Sequence, residues 1–300
     1  MRVKAAIFLC ILGLGYGDLG AQHYSLYNSG TLAESVENPW VSVFEGTCKK
    51  VASNFFIPTV NGDGFLEGDA AEGGRESLFW GRGMQDTLSG WQRRNQMDLY
   101  GHVNVLSVKY LLHEATNTEL LFDLSMRSMN AATVKNLTVN LAQGGDFITQ
   151  SEYGPGAGPV NSNAFHYLFN ETSLGLRRRF DETFAAGIKL SYLSGIAHFE
   201  GGVGYSEGEY GRTEDLMILR MRGQAEFTPY PGDPKAGDFL PGFRNPGFSI
   251  SGGVEKRVGE SFKFTVGIKD LGSIRWKQKG ERVLLTPEDE VLLENFSVLS

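Results

Sequence analysis

The sequence predicts an all-β protein, an antiparallel transmembrane β-barrel, and three observations lead to this prediction. The 300-residue chain is rich in glycine (39), phenylalanine (20) and tyrosine (11), a composition that favours short strands and turns over helices. Its N-terminus has the pattern of a secretion signal. Most later segments alternate apolar with polar or charged side chains, as strands with one apolar face do.

The N-terminus is predicted to direct export. Arg2 and Lys4 precede a short apolar run, Ala5–Leu14, and a small-residue cleavage site follows. The apolar run is too short for a transmembrane helix and has the length of a signal peptide. We therefore predict a signal peptide over residues 1–21 and a single barrel domain over residues 22–300.

The mature chain contains no run of about 18 apolar residues, so it has no predicted transmembrane helix. A membrane location would then require a closed barrel, because open sheet edges cannot face lipid. Cys48 would be the only cysteine left, so no intramolecular disulfide is available. A formal net charge of −7 without a basic stripe argues against nucleic acid as a partner and leaves outer-membrane lipid as the expected one.

The first half of the mature chain is predicted to contain three strands. Lys50–Pro58 is interpreted as a strand stopped by proline, and Asn61–Gly74 as a loop rich in glycine and acidic residues. Asp98–Leu112 alternates but changes phase near Val105, which indicates a β-bulge. Thr118–Ser128 alternates without interruption and is predicted as the next strand.

The clearest alternation lies in the middle of the chain. Thr172–Phe180 and Glu182–Leu193 are predicted to form a hairpin. In the second of these strands the apolar face carries an aromatic at both ends, Phe184 and Tyr192, and the other face carries Lys189. A strand of about 9–11 residues with an apolar band between aromatics is typical of a membrane-spanning barrel.

The last part of the chain extends the pattern to roughly ten strands. Asp215–Phe227 alternates over a full span, and residues 229–247 hold a loop rich in proline and glycine. Phe248–Lys256 and Ser261–Asp270 are predicted as a second hairpin, and Ile274–Lys277 as the start of another short strand.

These strands divide their residues between two predicted surfaces. The charged faces are predicted to line the lumen through Arg127, Lys189, Arg220, Arg222, Glu226, Lys263 and Lys269. The aromatics near strand ends are predicted to form girdles at the membrane interfaces through Phe184, Tyr192, Phe227, Phe262 and Trp276. A soluble β-sandwich is the alternative, and it would place the charged faces outside.

Motifs that could carry chemistry have simpler interpretations. Ser206 lies in a Gly-Tyr-Ser-Glu-Gly pattern, but a strand rather than a helix is predicted after it, so the nucleophile-elbow geometry is not expected. Asn61–Gly64 begins like a calcium loop without its later ligands. His102 and His198 lack metal-ligand spacing, and no cofactor, metal or catalytic residue is predicted. In the run Arg177–Arg179, the middle arginine is expected to point away from its neighbours.

The end of the sequence fits a barrel less well. Thr286–Asp289 has the pattern of a helix start, with proline at the first helical position. The sequence ends without the terminal aromatic that outer-membrane strands commonly carry. Either a short helix finishes the fold or the chain is truncated, and we favour truncation as the expectation.

Three stretches resemble a family of uncharacterised outer-membrane proteins of the Bacteroidota-type envelope, related at fold level to the FadL-like transporters and PorV-type barrels. They are Ala52–Pro58, Leu190–His198 and Asn245–Lys277, in which Asp270-Leu271-Gly272 followed by Ile274-Arg275-Trp276 is the most specific piece. The resemblance implies an outer-membrane β-barrel with a signal peptide and no established activity.

We therefore expect a non-enzymatic protein of a gram-negative, Bacteroidota-type outer membrane, either a channel or transporter for small or hydrophobic solutes or an envelope component. A secreted β-sandwich that serves in binding or adhesion is the alternative. A secreted serine hydrolase would rest on Ser206 alone.

Overall fold

A computed structural model gives the protein an all-β architecture with short helical segments among the described residues. It describes residues 32–40, 50–73, 93–142, 147–149, 158, 160–211, 216–228, 242–243, 245–259, 262–277, 281–286, 290–293 and 297–299. Two helices are labelled, α1 (Leu32–Glu37) and α2 (Asn136–Ala142), and residues 69–73 are also helical. The strands are β1 (Val51–Ser53), β2 (Thr59–Glu67), β3 (Arg94–His113), β4 (Thr118–Lys135), β5 (Phe147–Thr149), β6 (Ser162–Arg179), β7 (Phe184–Gly211), β8 (Leu216–Thr228), β9 (Pro246–Val258), β10 (Phe262–Ile274), β11 (Glu281–Leu285), β12 (Glu290–Leu293) and β13 (Ser297–Leu299).

Eleven of the strands form one antiparallel sheet, and β5 pairs with β13 in a second, two-stranded sheet. The main path runs β3-β4-β6-β7, with β1 and β2 both on the outer edge of β3. The far edge of β7 divides: Phe184–Ser194 pairs with β9, which pairs with β10, while His198–Gly211 pairs with β8. Among the described residues no ladder joins β10 to β1 or β2, so the sheet is not closed into a barrel.

The sheet buries its polar face and exposes its apolar face. On β7 the Lys189 side chain is 2% exposed, whereas its neighbours Ile188 and Leu190 are 44% and 58% exposed. β4 repeats the pattern, with Asp123 and Arg127 buried on the same side as Lys189. We call the side that carries these charges the inward face and the opposite side the outward face.

The sheet curls around its inward face. β4 and β10 are separated in the sheet by β6, β7 and β9, so a flat sheet would hold them about 19 Å apart. Yet Arg127 Nη1 on β4 lies 2.9 Å from Asp270 Oδ2 on β10. This contact requires the intervening strands to curve toward one another, and it explains how an inward face of charged side chains becomes buried.

The pattern-based strand predictions were right where alternation was regular. The hairpins β6–β7 and β9–β10 are confirmed, and so is the bulge in β3, where the register with β4 shifts between Asn104 and Leu106. Asn61–Gly74 was wrongly assigned as a loop, because its first half belongs to β2, whose backbone pairs with β3 despite its glycines, and residues 69–73 are helical. Of the predicted helix start at Thr286–Asp289, residues 287–289 lie outside the described residues; the strand β12 begins at Glu290 and pairs with β8.

Within the described residues, no helical segment combines the length and the apolar character that a membrane crossing requires. The predicted signal peptide over residues 1–21, its cleavage site and Cys48 lie outside the described residues.

Candidate functional site: a buried ion cluster on the inward face

Six charged side chains from α1 and four strands meet on the inward face, and we call them the interior ion cluster. Arg127 stands at its centre because each guanidinium nitrogen has a different carboxylate partner. Nε lies 2.6 Å from Glu171, Nη1 lies 2.9 Å from Asp270 and Nη2 lies 3.1 Å from Glu37. The members are Glu37, Arg127, Glu171, Lys189, Lys269 and Asp270, three cations and three carboxylates that balance in charge.

Two lysines extend the cluster on either side of Arg127. Lys189 Nζ lies 3.0 Å from Glu171 Oε1 and 3.7 Å from Asp270 Oδ1. Lys269 Nζ lies 2.5 Å from Glu37 Oε2. Asp270 has a positive φ of 52° beside a register shift between β10 and β9, and this irregularity lets two consecutive residues, Lys269 and Asp270, both face inward. One strand therefore supplies charges of opposite sign to the same cluster.

The segment from α1 to Trp40 reaches this cluster from the N-terminal side of the chain. Glu37 Oε1 also lies 2.9 Å from His102 Nδ1 on β3. Burial raises the pKa of Glu37, but Arg127, His102 and Lys269 together outweigh burial and hold that pKa well below its ordinary value of 4.5. Glu37 is therefore ionised at neutral pH, and its carboxylate anchors α1 to the inward face.

Three glycines make room for this segment. Gly187 on β7 pairs with Gly253 on β9, which pairs with Gly267 on β10, and we call the three the glycine row. A Cβ at Gly187 would lie 2.0 Å from the Pro39 carbonyl oxygen, and a Cβ at Gly267 would lie 2.4 Å from the Trp40 ring. The segment thus packs directly on the backbone of the sheet, where no other residue type leaves space.

Further charges on the inward face are paired nearer to the start of β4. Arg177 Nε donates to Glu119 Oε2, and Lys109 Nζ lies 3.5 Å from Glu119 Oε1. Lys263 Nζ lies 3.1 Å from Glu255 Oε2, whose residue is fully buried. Because a buried charge is costly unless it is paired, these pairs are what allows charged residues to fill the inside of the curled sheet.

Toward the other end of the strands the inward side opens into a cavity of ≈ 2230 Å³. Its lining includes Asp63, Asp98, Phe165, Glu200, Arg222 and Glu226, and Lys269 of the interior ion cluster also borders it. The cavity therefore joins the ion cluster to the ends of β3, β6 and β8. Its wall carries both signs of charge together with aromatic rings, a surface suited to contact with water and polar solutes.

The residues predicted to line a lumen lie in three different places. Arg127, Lys189 and Lys269 belong to the interior ion cluster, and Lys263 faces inward with Glu255. Arg222 and Glu226 line the cavity. Arg220 lies opposite Glu207 of β7, two residues along β8 from Arg222 and therefore on the same face.

Four of the five aromatics predicted as girdle residues lie at the expected strand positions. Phe184, Tyr192, Phe227 and Phe262 alternate with the inward residues of their strands and so lie on the outward face. Trp276 differs. Its ring stacks on His198 and Tyr167, with centroids 4.9 Å and 6.4 Å away, and it covers Gly195 on the inward face. The ring follows the end of β10, where the chain no longer alternates, so strand parity did not determine its direction.

The remaining motifs take structural roles. Ser206 lies within β7, where its hydroxyl donates to Asn161 Oδ1 and accepts from the Val160 N–H, so the strand-to-helix turn of a nucleophile elbow is missing at this serine. Among the described residues no group of three or more His, Cys, Asp or Glu side chains is placed to hold a metal ion. Arg178 points away from Arg177, which is buried, as strand alternation predicted.

Several members of the site were not identified from the sequence. Glu37 lies in a segment without strand periodicity, and Asp270 was assigned only to a strand end. Glu171 lies at the edge of the segment predicted as β6, and its alternation with Ser173 and Arg177 was the signal that could have identified it. The glycine row depends on the register of three strands, which alternation alone does not provide.

Comparison with known proteins gives one match. A family model described as a family of unknown function (DUF5723) matches residues 64–297. No curated protein and no solved structure matches the chain.

Proposed function

The chain belongs to the DUF5723 family of unknown function, and from its geometry we propose that it is a non-enzymatic outer-membrane β-barrel protein that admits small or hydrophobic solutes. One observation carries the proposal, the inverted burial of the sheet. Charged side chains such as Arg127 and Lys189 are 2% exposed, while outward Leu190 is 58% exposed. This inversion is what a wall between lipid outside and a polar interior requires.

A protein in water has no comparable reason for this arrangement. Leu174 on β6 and Phe264 and Val266 on β10 are more than half exposed, and they lie on the same outward surface. Contiguous apolar patches of this kind mark a surface that meets another apolar phase. A β-sandwich would bury these residues between two sheets, but the described residues form one large sheet with charges inside its curl.

The interior supports a role in solute contact rather than in catalysis. The cavity opens on one side of the interior ion cluster, and the segment from α1 to Trp40 occupies the space beside that cluster. In the proposed barrel this segment narrows the interior at the level of Arg127. A solute would enter the cavity first and meet the paired charges next. The outer membrane of a Bacteroidota-type cell is the proposed location, and its lipid is the proposed partner.

The test combines envelope fractionation with gel migration before and after boiling. A folded barrel stays compact in SDS until it is heated, so the unboiled protein is expected in the outer-membrane fraction and at a shifted position on the gel. Liposome swelling with the purified protein then measures solute entry. Folding in water without detergent, as a monomer found in the soluble fraction, would contradict the proposal and favour the secreted binding module.

A further inference from the structure

The outward face carries almost no charge, and its two exceptions lie close together. Strand parity and register place no Asp, Glu, Lys or Arg side chain on the outward face of β1–β4 or β6–β10, as far as these strands are described, apart from Arg178 and Lys256. Both are cations and both are exposed; no described carboxylate pairs with either, and Lys256 Nζ donates a hydrogen bond to Thr183 Oγ1 at 2.7 Å. The inward cations Arg127, Lys189, Lys263 and Lys269, by contrast, have carboxylate partners.

The two cations flank one turn. Arg178 pairs with Ala186 and Lys256 pairs with Phe184, so their Cα atoms are separated by two strand spacings sideways, roughly 10 Å, and two residues along the strands, about 7 Å. The Arg178 guanidinium lies 5.3 Å from the ring centroid of Phe180, and Lys256 Nζ lies 5.9 Å from that of Phe184. Both side chains are long enough to reach one anion between them.

Hydrogen bonds hold the turn between these cations. Asp181 Oδ1 accepts hydrogen bonds from the N–H of Thr183 at 2.7 Å and from the N–H of Phe184 at 2.7 Å. The rings of Phe180 and Phe184 lie 5.7 Å apart. The paired rings thus hold a fixed position at the end of the sheet, with a cation on either side, which is the side-chain combination found where a membrane meets water.

An apolar surface begins directly beside these cations. Leu176 pairs with Ile188 on the outward face, and Val254 lies next to Ala186. Ala186 and Gly252 project little or nothing from this face, so a shallow groove runs between the larger side chains. A ligand with an anionic head and an aliphatic tail would place the head at the cations and the tail in the groove.

The end of the sheet that carries this site has the short connections. The turns 114–117, 180–183 and 259–261 all lie there, whereas the long connections 68–93 and 136–161 join strands at the opposite end, together with the short connection 212–215. In bacterial outer-membrane barrels the short turns face the periplasm. Under the proposed function, on which this assignment rests, Arg178 and Lys256 lie at the periplasmic leaflet, which supplies lipid phosphates.

We propose that Arg178 and Lys256, with Phe180 and Phe184, form a binding site for the phosphate head group of a phospholipid whose acyl chain follows the groove at Gly252. A guanidinium binds phosphate through directed hydrogen bonds, and an ammonium adds a point charge. The site would hold one lipid in a fixed position against β6, β7 and β9.

The experiment measures lipid retention by native mass spectrometry on the full chain folded in dodecyl maltoside. Phosphatidylglycerol is the probe, with diacylglycerol and inorganic phosphate as separate arms. The double variant Arg178→Gln/Lys256→Gln is expected to lose about thirtyfold in apparent affinity, since each cation near a lipid surface contributes about fivefold. Arg178→Lys/Lys256→Arg keeps both charges and should retain most of the binding. Lys50→Gln removes an exposed cation of the same end and should bind as wild type.

Equal retention by wild type and the double glutamine variant would overturn the proposal. So would saturation of the site by inorganic phosphate alone, because the lipid tail would then contribute nothing. Gel migration before and after boiling is recorded for every variant. If the wild type shows no heat-dependent shift, the barrel itself is wrong. If the shift is present and only lipid retention is unaffected by the double variant, the lipid site alone is wrong.

Discussion

The two faces of β7 differ more than any two regions of the molecule. Lys189 and Leu190 are consecutive, yet one is buried against two carboxylates and the other is more than half exposed. In a water-soluble sheet the exposures would be exchanged. The difference shows that paired charges fill the inside of the curled sheet and that the apolar side chains lie on its outside, an arrangement that fits the proposed contact with lipid. A given substitution on either face should therefore affect stability in the opposite way from the same substitution in a soluble protein.

The largest expected effect comes from the centre of the inward face. Arg127→Ala would leave Glu37, Glu171 and Asp270 buried together without their shared cation. We expect a loss of about 3–5 kcal/mol in the free energy of unfolding, the usual cost of breaking a buried ion pair on one side. Urea unfolding in detergent micelles, followed by gel migration, measures it.

Two variants control for this prediction. Arg222→Ala removes an exposed arginine from the cavity wall and should change stability by at most about 0.5 kcal/mol. Arg127→Lys keeps the charge without three directed nitrogens, so it should fall between wild type and Arg127→Ala even if the alanine variant does not fold. Equal stability of Arg127→Ala and Arg222→Ala would contradict the importance of the cluster.

The outward face gives the next largest effect. Leu190→Lys places a charge in the middle of the apolar surface, where a lipid-facing position loses about 2–4 kcal/mol. Val258→Lys places the same charge near the short turns, where the cost is about 0–1 kcal/mol. Folding into phospholipid vesicles from urea measures both. A neutral Leu190→Lys, as expected for an exposed site in water, would remove the main support for a membrane location.

The glycine row gives a smaller effect, specific to the segment from α1 to Trp40. Gly187→Ala places a methyl group against the Pro39 carbonyl and should cost about 1–3 kcal/mol while exposing the segment to protease. Gly204→Ala is the matched control, because no heavy atom lies within 4 Å of the added methyl. Equal protease sensitivity of the two variants would indicate that the segment does not need the glycine row.

The smallest effect is a pH dependence. The pKa of Glu37 is lower in the folded protein than its ordinary value of 4.5, so the folded state binds fewer protons than the unfolded state. The stabilisation by Glu37 should be complete above about pH 4.5 and should decline as the pH falls through the lower, folded pKa. The difference in unfolding free energy between wild type and Glu37→Gln should follow this course. A difference that grows on acidification would have the wrong sign.

Alternation predicted the strands but not the contacts that fill the inside of the curled sheet. β4 and β6–β10 were identified because every second residue is apolar, and this period survives in both a curled and a flat sheet. The bulge in β3 was visible as a phase change near Val105. β2 was missed because its glycines and acidic residues suggest a loop, while its backbone hydrogen bonds to β3 depend on no side chain.

Strand parity predicted only those members of the candidate site that lie on regularly alternating strands. Parity placed Arg127, Lys189 and Lys269 on one face, since each follows an apolar residue of the opposite face. It could not select Glu37, which belongs to a helix, or the inward direction of Asp270, which depends on a local irregularity. Contacts between strands that are not neighbours in the sheet are set by its curvature, and no local period encodes that.

The interior ion cluster also has a consequence for the order of assembly. Arg127 and Asp270 are 143 positions apart in the chain, and Glu37 and Lys269 are 232 positions apart. Loops of this length close late, after the hairpins β3–β4, β6–β7 and β9–β10 have formed from near neighbours. Until then each of these charges remains hydrated. The cluster is thus complete only when both ends of the chain have arrived, which makes its formation a marker of the last step of folding.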